Sequence, residues 1–356
     1  MTKKLLAVIV GVVVLLTLIV GCKTQSTTTT TASATTQAEE TTAAPETTAA
    51  ETTAAAELPV IGFSNASVSN TWRVAMWDML RAQLDKDKAD GKIKDYYYVD
   101  GEDNDAKQAA GTEDMLNKGI DLLLIAPATE SSLDSVIEKA YDSGIPVIVF
   151  DRRCTTDKYT TFVVTDDVKN GEMAAQRMVE LLTEANGAPK GDIVVIQGWV
   201  GSGPQIDRQK GIDNILSQYP DIKQIAQPDS KFQRSEGKKT MADVLTRFKK
   251  IDGIISHSGE GLCGALEAVD EAGRTDCKLI TCIDGYNGVL KLIKAGRVDS
   301  TYLFPARLGL EAYLVGLKVL AGESVDKVTY LPNIKVDKSN VDQYVVMDGD
   351  DGLWTY

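Results

Sequence analysis

From Leu58 onward the chain repeats one pattern: a short apolar run, a polar turn, then an amphipathic stretch. The runs are Val60–Phe63, Tyr96–Val99, Leu122–Ile125, Pro146–Phe150, Phe162–Val164, Ile193–Ile196, Ile222–Ile225, Ile254–Ile255 and Leu279–Ile283. Short uninterrupted runs of this kind suit strands buried on both faces of a parallel sheet. Between them, helical spacing covers Trp72–Leu84, Ala106–Leu116, Ser131–Tyr141, Glu172–Leu182, Ser235–Phe248 and Leu262–Ala272. In the first helix, Val74, Trp77, Leu80 and Leu84 are expected to share the buried face. Gly119, Gly144 and Gly273 each follow a helical stretch, where a residue without a Cβ takes the left-handed conformation at little cost.

Alternating β and α elements predict parallel sheets with right-handed crossovers. The rhythm breaks at Thr165-Asp166-Asp167-Val168 and then restarts, and Leu303-Phe304-Pro305 and Tyr330-Leu331-Pro332 read as later crossings. The expected fold is α/β, with two doubly wound, Rossmann-like lobes joined by hinge strands. One lobe would comprise 58–165 with 304–330, the other 166–303 with 331–356.

The first residues have a different character. Lys3 and Lys4 precede an apolar or small-residue run from Leu5 to Val20, followed by Gly21-Cys22. This is the layout of a secretory signal, and the run is short for a membrane span. Gly21-Cys22 resembles a bacterial lipobox, which implies cleavage after residue 21 and diacylation of Cys22. Residues 22–56 are nearly all Thr, Ala, Ser, Gln and Glu. They lack the apolar side chains that would offset the entropy of ordering, so a flexible tether is expected.

The formal net charge is −13. There is no basic stripe and no helix-turn-helix segment ahead of the body, which disfavours a nucleic-acid partner. Cys154, Cys263, Cys277 and Cys282 match no zinc-site spacing and read as buried, inert thiols. The chain has one histidine, His257. It has no nucleophile elbow, phosphate-binding loop or metal-ligand cluster, so neither a cofactor nor catalysis is expected.

Ligands of open α/β sheets sit beyond the carboxyl ends of the strands. The residues that follow the runs include Asn70-Thr71-Trp72-Arg73, Ala126-Pro127, Asp151-Arg152-Arg153, Gln197-Gly198-Trp199, Asp207-Arg208, Ser256-His257-Ser258-Gly259-Glu260 and Asp284-Gly285-Tyr286. Carboxylates and guanidinium groups make charge-assisted hydrogen bonds to hydroxyls, and aromatic rings cover the C–H face of a sugar. This set therefore suits a neutral polyol. Asp151 and Arg152 are read as ligand contacts rather than a surface ion pair, and Asp284 as a contact rather than a helix cap. Arg208, at an expected helix start, opposes the helix dipole, a cost that points to function.

In order along the body, these residues resemble the type I periplasmic binding proteins of ATP-driven (ABC) sugar importers, in the ribose-binding cluster. Asn70-Thr71-Trp72-Arg73 is similar to the first binding loop, Asp151-Arg152 to the family's Asp-Arg pair, Asp207–Gly211 to its Arg-x-x-Gly helix start, and Ile283-Asp284-Gly285 to its Phe-Asp-Gly motif. Phe232 falls where a second stacking aromatic is found, and Ser256–Glu260 where the family usually reads Asn-Asp. The details are most similar to galactofuranose-binding members. The resemblance implies a two-lobed clamshell whose ligand contacts are Asn70, Trp72, Arg73, Asp151, Arg152, Arg208, Phe232, Ser258, Glu260 and Asp284. Ala126, Ser258-Gly259 and Leu303-Phe304 depart from the ribose-binding pattern. The implied ligand is accordingly another pentose or hexose, a furanose included, or a related polyol.

The expected function is capture of that sugar by a lipid-anchored monomer outside the membrane and delivery to the ABC permease. The alternative is a sensor presenting it to a chemoreceptor or histidine kinase. A glycosidase would need carboxylates paired across the scissile bond, and Asp151 and Asp284 each have binding-type neighbours instead.

Overall fold

The computed structural model of the chain describes residues 57–354. The expected signal at 1–21, the lipidation site Cys22 and the tether to residue 56 lie outside the described residues. Among the described residues no helix is long and apolar enough to cross a membrane.

The chain builds two sheets, one after the other. The first lobe runs β1 (Val60–Asn65), α1 (Thr71–Ala89), β2 (Asp95–Asp100), α2 (Asp105–Asn117), β3 (Leu122–Ala126), α3 (Asp134–Asp142), β4 (Val147–Phe150) and β5 (Thr161–Thr165). The second runs α4 (Asp167–Asn186), β6 (Gly191–Ile196), α5 (Gly203–Leu216), β7 (Ile222–Ala226), α6 (Arg234–Arg247), β8 (Gly253–Ser256), α7 (Gly259–Glu271), β9 (Leu279–Ile283), α8 (Asn287–Lys294) and β10 (Ser300–Tyr302). The chain then returns through α9 (Leu308–Leu320) and β11 (Val328–Leu331) and crosses again to β12 (Lys335–Asp337).

The strand orders are β2-β1-β3-β4-β5-β11 and β7-β6-β8-β9-β10-β12. Every pairing is parallel except β10 with β12. Each lobe thus has the doubly wound order whose switch point opens a crevice at the carboxyl edge. The expected α/β fold with two lobes is the fold observed. Leu331, expected in the second lobe, pairs with Thr165 in the first sheet.

Helix α1 buries Leu80 and Leu84 as expected, but not Val74. Val74 is exposed, while Trp72, Met76, Leu80 and Leu84 form the buried ridge. Spacing by four residues keeps a ridge on one side of a helix, and Val74 falls off it. Burying Met76, Leu80 and Leu84 stabilises the lobe by roughly 1.5–3 kcal/mol each relative to exposure. Trp77 sits at the edge of this core, stacked on Tyr98 with ring centroids 4.0 Å apart. The Tyr96–Tyr98 run is a strand, but an edge strand, and is only half-buried.

The pattern did not single out α8, α9, β10 or β12. Helix α8 has 8 residues and β10 is the polar triplet Ser-Thr-Tyr, so neither shows a period long enough to read. β10 is nonetheless fully buried, between β9 and β12.

Three crossovers connect the lobes, at Thr165–Asp167, Tyr302–Leu308 and Leu331–Lys335. Asn170 donates to Leu303 O (3.3 Å), and Asn333 donates to Asp166 O and to Asn170 Oδ1 (both 2.8 Å). Leu303 N donates to Ile334 O at 2.9 Å. Two asparagines therefore tie all three crossovers together.

Candidate functional site

The carboxyl edges of the two sheets face one another across a cavity of about 50 Å³. One water needs ~10–15 Å³ by the same measure, so the space suits a small molecule. Its lining contains all ten residues expected as ligand contacts, from Asn70 to Asp284, and adds Pro204, Phe304 and Trp354.

The first lobe supplies a pre-bonded ionic wall. Asn70 caps α1, its Oδ1 accepting from Arg73 N at 2.9 Å. That cap fixes the start of the helix and so the direction of Trp72 and Arg73. Arg73 is buried and donates to Asn65 Oδ1 (2.8 Å) and to Asp151. Asp151 follows β4 with a φ of +63°, a left-handed conformation that a non-glycine residue holds only when its surroundings fix it. Arg152 donates to Ala128 O at 2.6 Å and pairs with Asp151 at 4.0 Å, but both side chains are largely buried, so the pair is not a surface one. Burial first, and then neighbouring Arg73, lowers the Arg152 guanidinium to about 10. Trp72 donates through Nε1 to Phe304 O at 3.3 Å and packs its ring 5.3 Å from that of Phe304.

The second lobe mirrors this design. Arg208 is not at the start of its helix: α5 begins at Gly203, and Arg208 is buried more than a turn further on. The dipole argument therefore does not apply. Its Nε donates to Asp167 Oδ1 at 2.8 Å and its Nη1 to His257 O at 2.7 Å. Its guanidinium lies 4.7 Å from the ring centroid of Phe304 and 5.9 Å from that of Phe232. Phe232 itself has a φ of +59° and is seated on Gly198. A Cβ at residue 198 would stand 1.9 Å from the Phe232 ring.

Asp284 does not cap α8. Its two carboxylate oxygens accept from Gly259 N and Gly285 N, both at 3.1 Å. Gly259 is the first residue of α7, so the carboxylate sits where a helix N-terminus favours negative charge. Burial nevertheless pushes Asp284 up to about 7, against the pull of Arg208. Burial likewise pushes Asp167 up to about 6. Ser258 caps α7 through its Oγ, which accepts from Gly261 N at 3.2 Å.

Glu260 turns out to reach the opposite lobe. Its Oε1 accepts from Thr71 N (3.1 Å) and Thr71 Oγ1 (2.6 Å) at the start of α1. On the other side of the cleft, Arg153 bonds Glu130 of its own lobe at 2.7 Å and Asp207 of the second at 2.8 Å. Trp199 stays exposed and does not line the cavity. His257 is buried, is held down to about 3 by burial and by Arg208, and does not line the cavity either. The four described cysteines are free thiols; burial raises Cys154 and Cys263 to about 12 and Cys277 to about 11, so little thiolate forms.

Phe304 had one signal in the sequence, the departure of Leu303-Phe304 from the ribose-binding pattern; β10 ahead of it was too short and polar to mark it. Trp354 carried no such signal; it is one aromatic near the end of an acidic tail. Among the described residues no group of three or more His, Cys, Asp or Glu side chains is placed to hold a metal ion.

Two doubly wound lobes that close on a buried cavity, with charged groups already neutralised and aromatic rings on both sides, define a receptor for a small polar ligand. The chain belongs to the periplasmic binding protein family, whose periplasmic binding protein domain matches residues 61–324. It is 34% identical to the xylitol-binding protein of Mycolicibacterium smegmatis over 239 residues, 66% of this chain and 66% of that protein's length. It is 29% identical to the galactofuranose-binding protein of Escherichia coli over 249 residues, 68% of this chain and 76% of that one. Among solved structures, the periplasmic binding protein of the arabinose ABC transporter of Shewanella sp. ANA-3, bound to α- and β-L-arabinofuranose, superposes with a TM-score of 0.71. It is 25% identical, and the match covers 80% of this chain and 93% of that one.

Proposed function

We propose that this protein captures a monosaccharide, or a related polyol, between its lobes outside the cytoplasmic membrane and delivers it to an ABC importer. The observation that carries the reading is the charge arrangement of the cavity. Arg73, Arg208, Asp151, Asp167 and Asp284 each already have a bonded partner. A charged ligand would leave one of these pairs uncompensated in a buried site, at a high cost. A neutral polyol instead places hydroxyls against the remaining carboxylate lone pairs and guanidinium N–H groups, with Trp72, Phe232 and Phe304 against its C–H faces.

The relatives support this choice, because they bind a pentitol, a hexofuranose and a pentofuranose. The ligand contacts are the ten residues named from the sequence, joined by Phe304 and Trp354. The lobes, 58–165 with 304–331 and 166–303 with 332–356, rotate about the three crossovers to admit and release ligand. Cys22 carries the lipid that holds the chain to the membrane, residues 22–56 form its tether, and the protein binds sugar without altering it.

The deciding experiment is a thermal-shift and calorimetric screen of the chain against pentoses, hexoses and polyols. A ligand that binds only the folded state stabilises it by RT ln(1 + [L]/Kd), about 2.7 kcal/mol at a hundredfold excess over Kd. The expected result is a concentration-dependent rise in Tm for one sugar or polyol, abolished by Asp151→Ala, with the sugar recovered unchanged. A folded protein that responds to no member of the panel overturns the sugar reading.

A further inference from the structure

Residues 341–354 form a strap across the second lobe and bring Trp354 into the cavity lining. After β12 the strap is fastened to the start of α8. Asn287 Nδ2 donates to Val346 O and Asp350 O, and Val346 N donates back to Asn287 Oδ1, all at 2.9 Å. Asp351 adds ion pairs to Lys291 and Arg234, both at 3.1 Å. So held, the strap places Trp354 against Tyr286, with ring centroids 5.9 Å apart, and makes it part of the cavity lining at 4% exposure.

The indole does not bond within its own lobe. Its Nε1 donates 3.0 Å to Thr71 Oγ1, on the first lobe. That hydroxyl donates in turn to Glu260 Oε1, back on the second lobe, and the same oxygen accepts Thr71 N. An N–H···O–H···carboxylate chain therefore crosses the cleft twice. Its donors and acceptors are matched, because a hydroxyl gives one proton and accepts others. The chain exists only while the lobes are closed.

We propose that residues 341–354 are a strap that carries Trp354 in as the outer wall of the ligand cavity, and that the Trp354–Thr71–Glu260 relay is a clamp holding the closed lobes over the ligand. The inference rests on the receptor reading above and adds two roles to it. Glu260 serves closure through its Oε1 besides lining the cavity, and ligand residence time is set partly by Trp354.

The test uses the full chain with Trp354→Phe, which keeps a ring but removes the N–H, and Thr71→Val, which removes the hydroxyl. With the sugar found by the screen, the expected result is dissociation faster by about fivefold or more, the equivalent of one neutral hydrogen bond, with association unchanged. The ligand-free variants should melt within about 2–4 °C of the parent, the shift of one lost hydrogen bond, which separates a clamp from general destabilisation. Unchanged dissociation in both variants overturns the proposal. Hydrogen exchange at the Thr71 amide gives a second readout that needs no sugar. Protection in the parent that is lost in Glu260→Ala and Trp354→Phe supports the clamp; equal exchange in all three, with and without ligand, overturns it. A parent that binds no sugar in the screen counts against the receptor reading, and the exchange result then decides the clamp on its own.

Discussion

Asp284 shows how one side chain sets both binding and stability. A sugar hydroxyl donates a stronger, charge-assisted bond to its ionised form, yet burial has raised the carboxyl to about 7 in the empty site. Affinity is therefore expected to weaken as pH falls below about 7 and to level off once the group is protonated, by about tenfold in all, the difference between a charge-assisted and a neutral hydrogen bond. Titration calorimetry between pH 5 and pH 8 checks this, and a flat profile would refute it. The stability effect has the opposite sense. The folded state binds this proton at higher pH than the unfolded chain does, so the group's stabilising contribution is present in acid and is lost as pH rises through about 7. Asp284→Asn should thus bind poorly and yet, without ligand, melt higher than the parent at pH 8. His257 works against it: held down to about 3, it contributes stability near neutral pH that is lost as pH falls below its unfolded value near 6.5. The motif positions of Asp284 and Asp151 were legible as residues following apolar runs. Their partners were not, because Gly259 and Arg73 lie 25 and 78 residues away and reach them only through folding.

At the scale of elements, the three crossovers decide how the lobes move. Asn333 and Asn170 supply side-chain bonds that lash these segments together, and Asn170 is fully buried. Asn333→Ala leaves Asp166 O and Asn170 Oδ1 short of a donor, a cost of about 1–3 kcal/mol. The expected outcome is a Tm lower by roughly 2–6 °C, measured by calorimetry, together with a broader distribution of ligand-free shapes in small-angle scattering. An unchanged Tm and scattering curve would show that the crossovers need no side-chain tie. Strand and helix order was readable because buried parallel strands are uninterrupted apolar runs. Helix α1 shows where that reading stops. Its apolar residues were visible, but whether Val74 or Met76 faced inward depended on the position of β1 and α9 beside it. The same holds for β10, a polar triplet made a core strand by its neighbours.

Across the whole molecule, closure is held at two rims, by the Thr71–Glu260–Trp354 relay on one side and by Glu130–Arg153–Asp207 on the other. Arg153 and Asp207 are partly exposed, so their pair is worth about 0–1 kcal/mol and weakens with salt. Arg153→Ala should therefore raise Kd by at most about fivefold at low ionic strength, and the difference should shrink toward none in molar salt. A salt-independent loss would mean that Arg153 shapes the cavity rather than its rim. What the sequence determined by itself was local or periodic: alternating strands and helices, two lobes with a break at Asp166, and the charged and aromatic residues that follow the strands. These are legible because burial imposes a period on neighbouring residues, and because a strand's carboxyl end is set by the strand itself. What only the tertiary structure decided was which of those charges neutralise one another, that Glu260 reaches across the cleft, and that Trp354 closes the cavity. Each depends on contacts between residues far apart in the chain. No pattern of adjacent side chains encodes such contacts; they arise only where the two lobes meet.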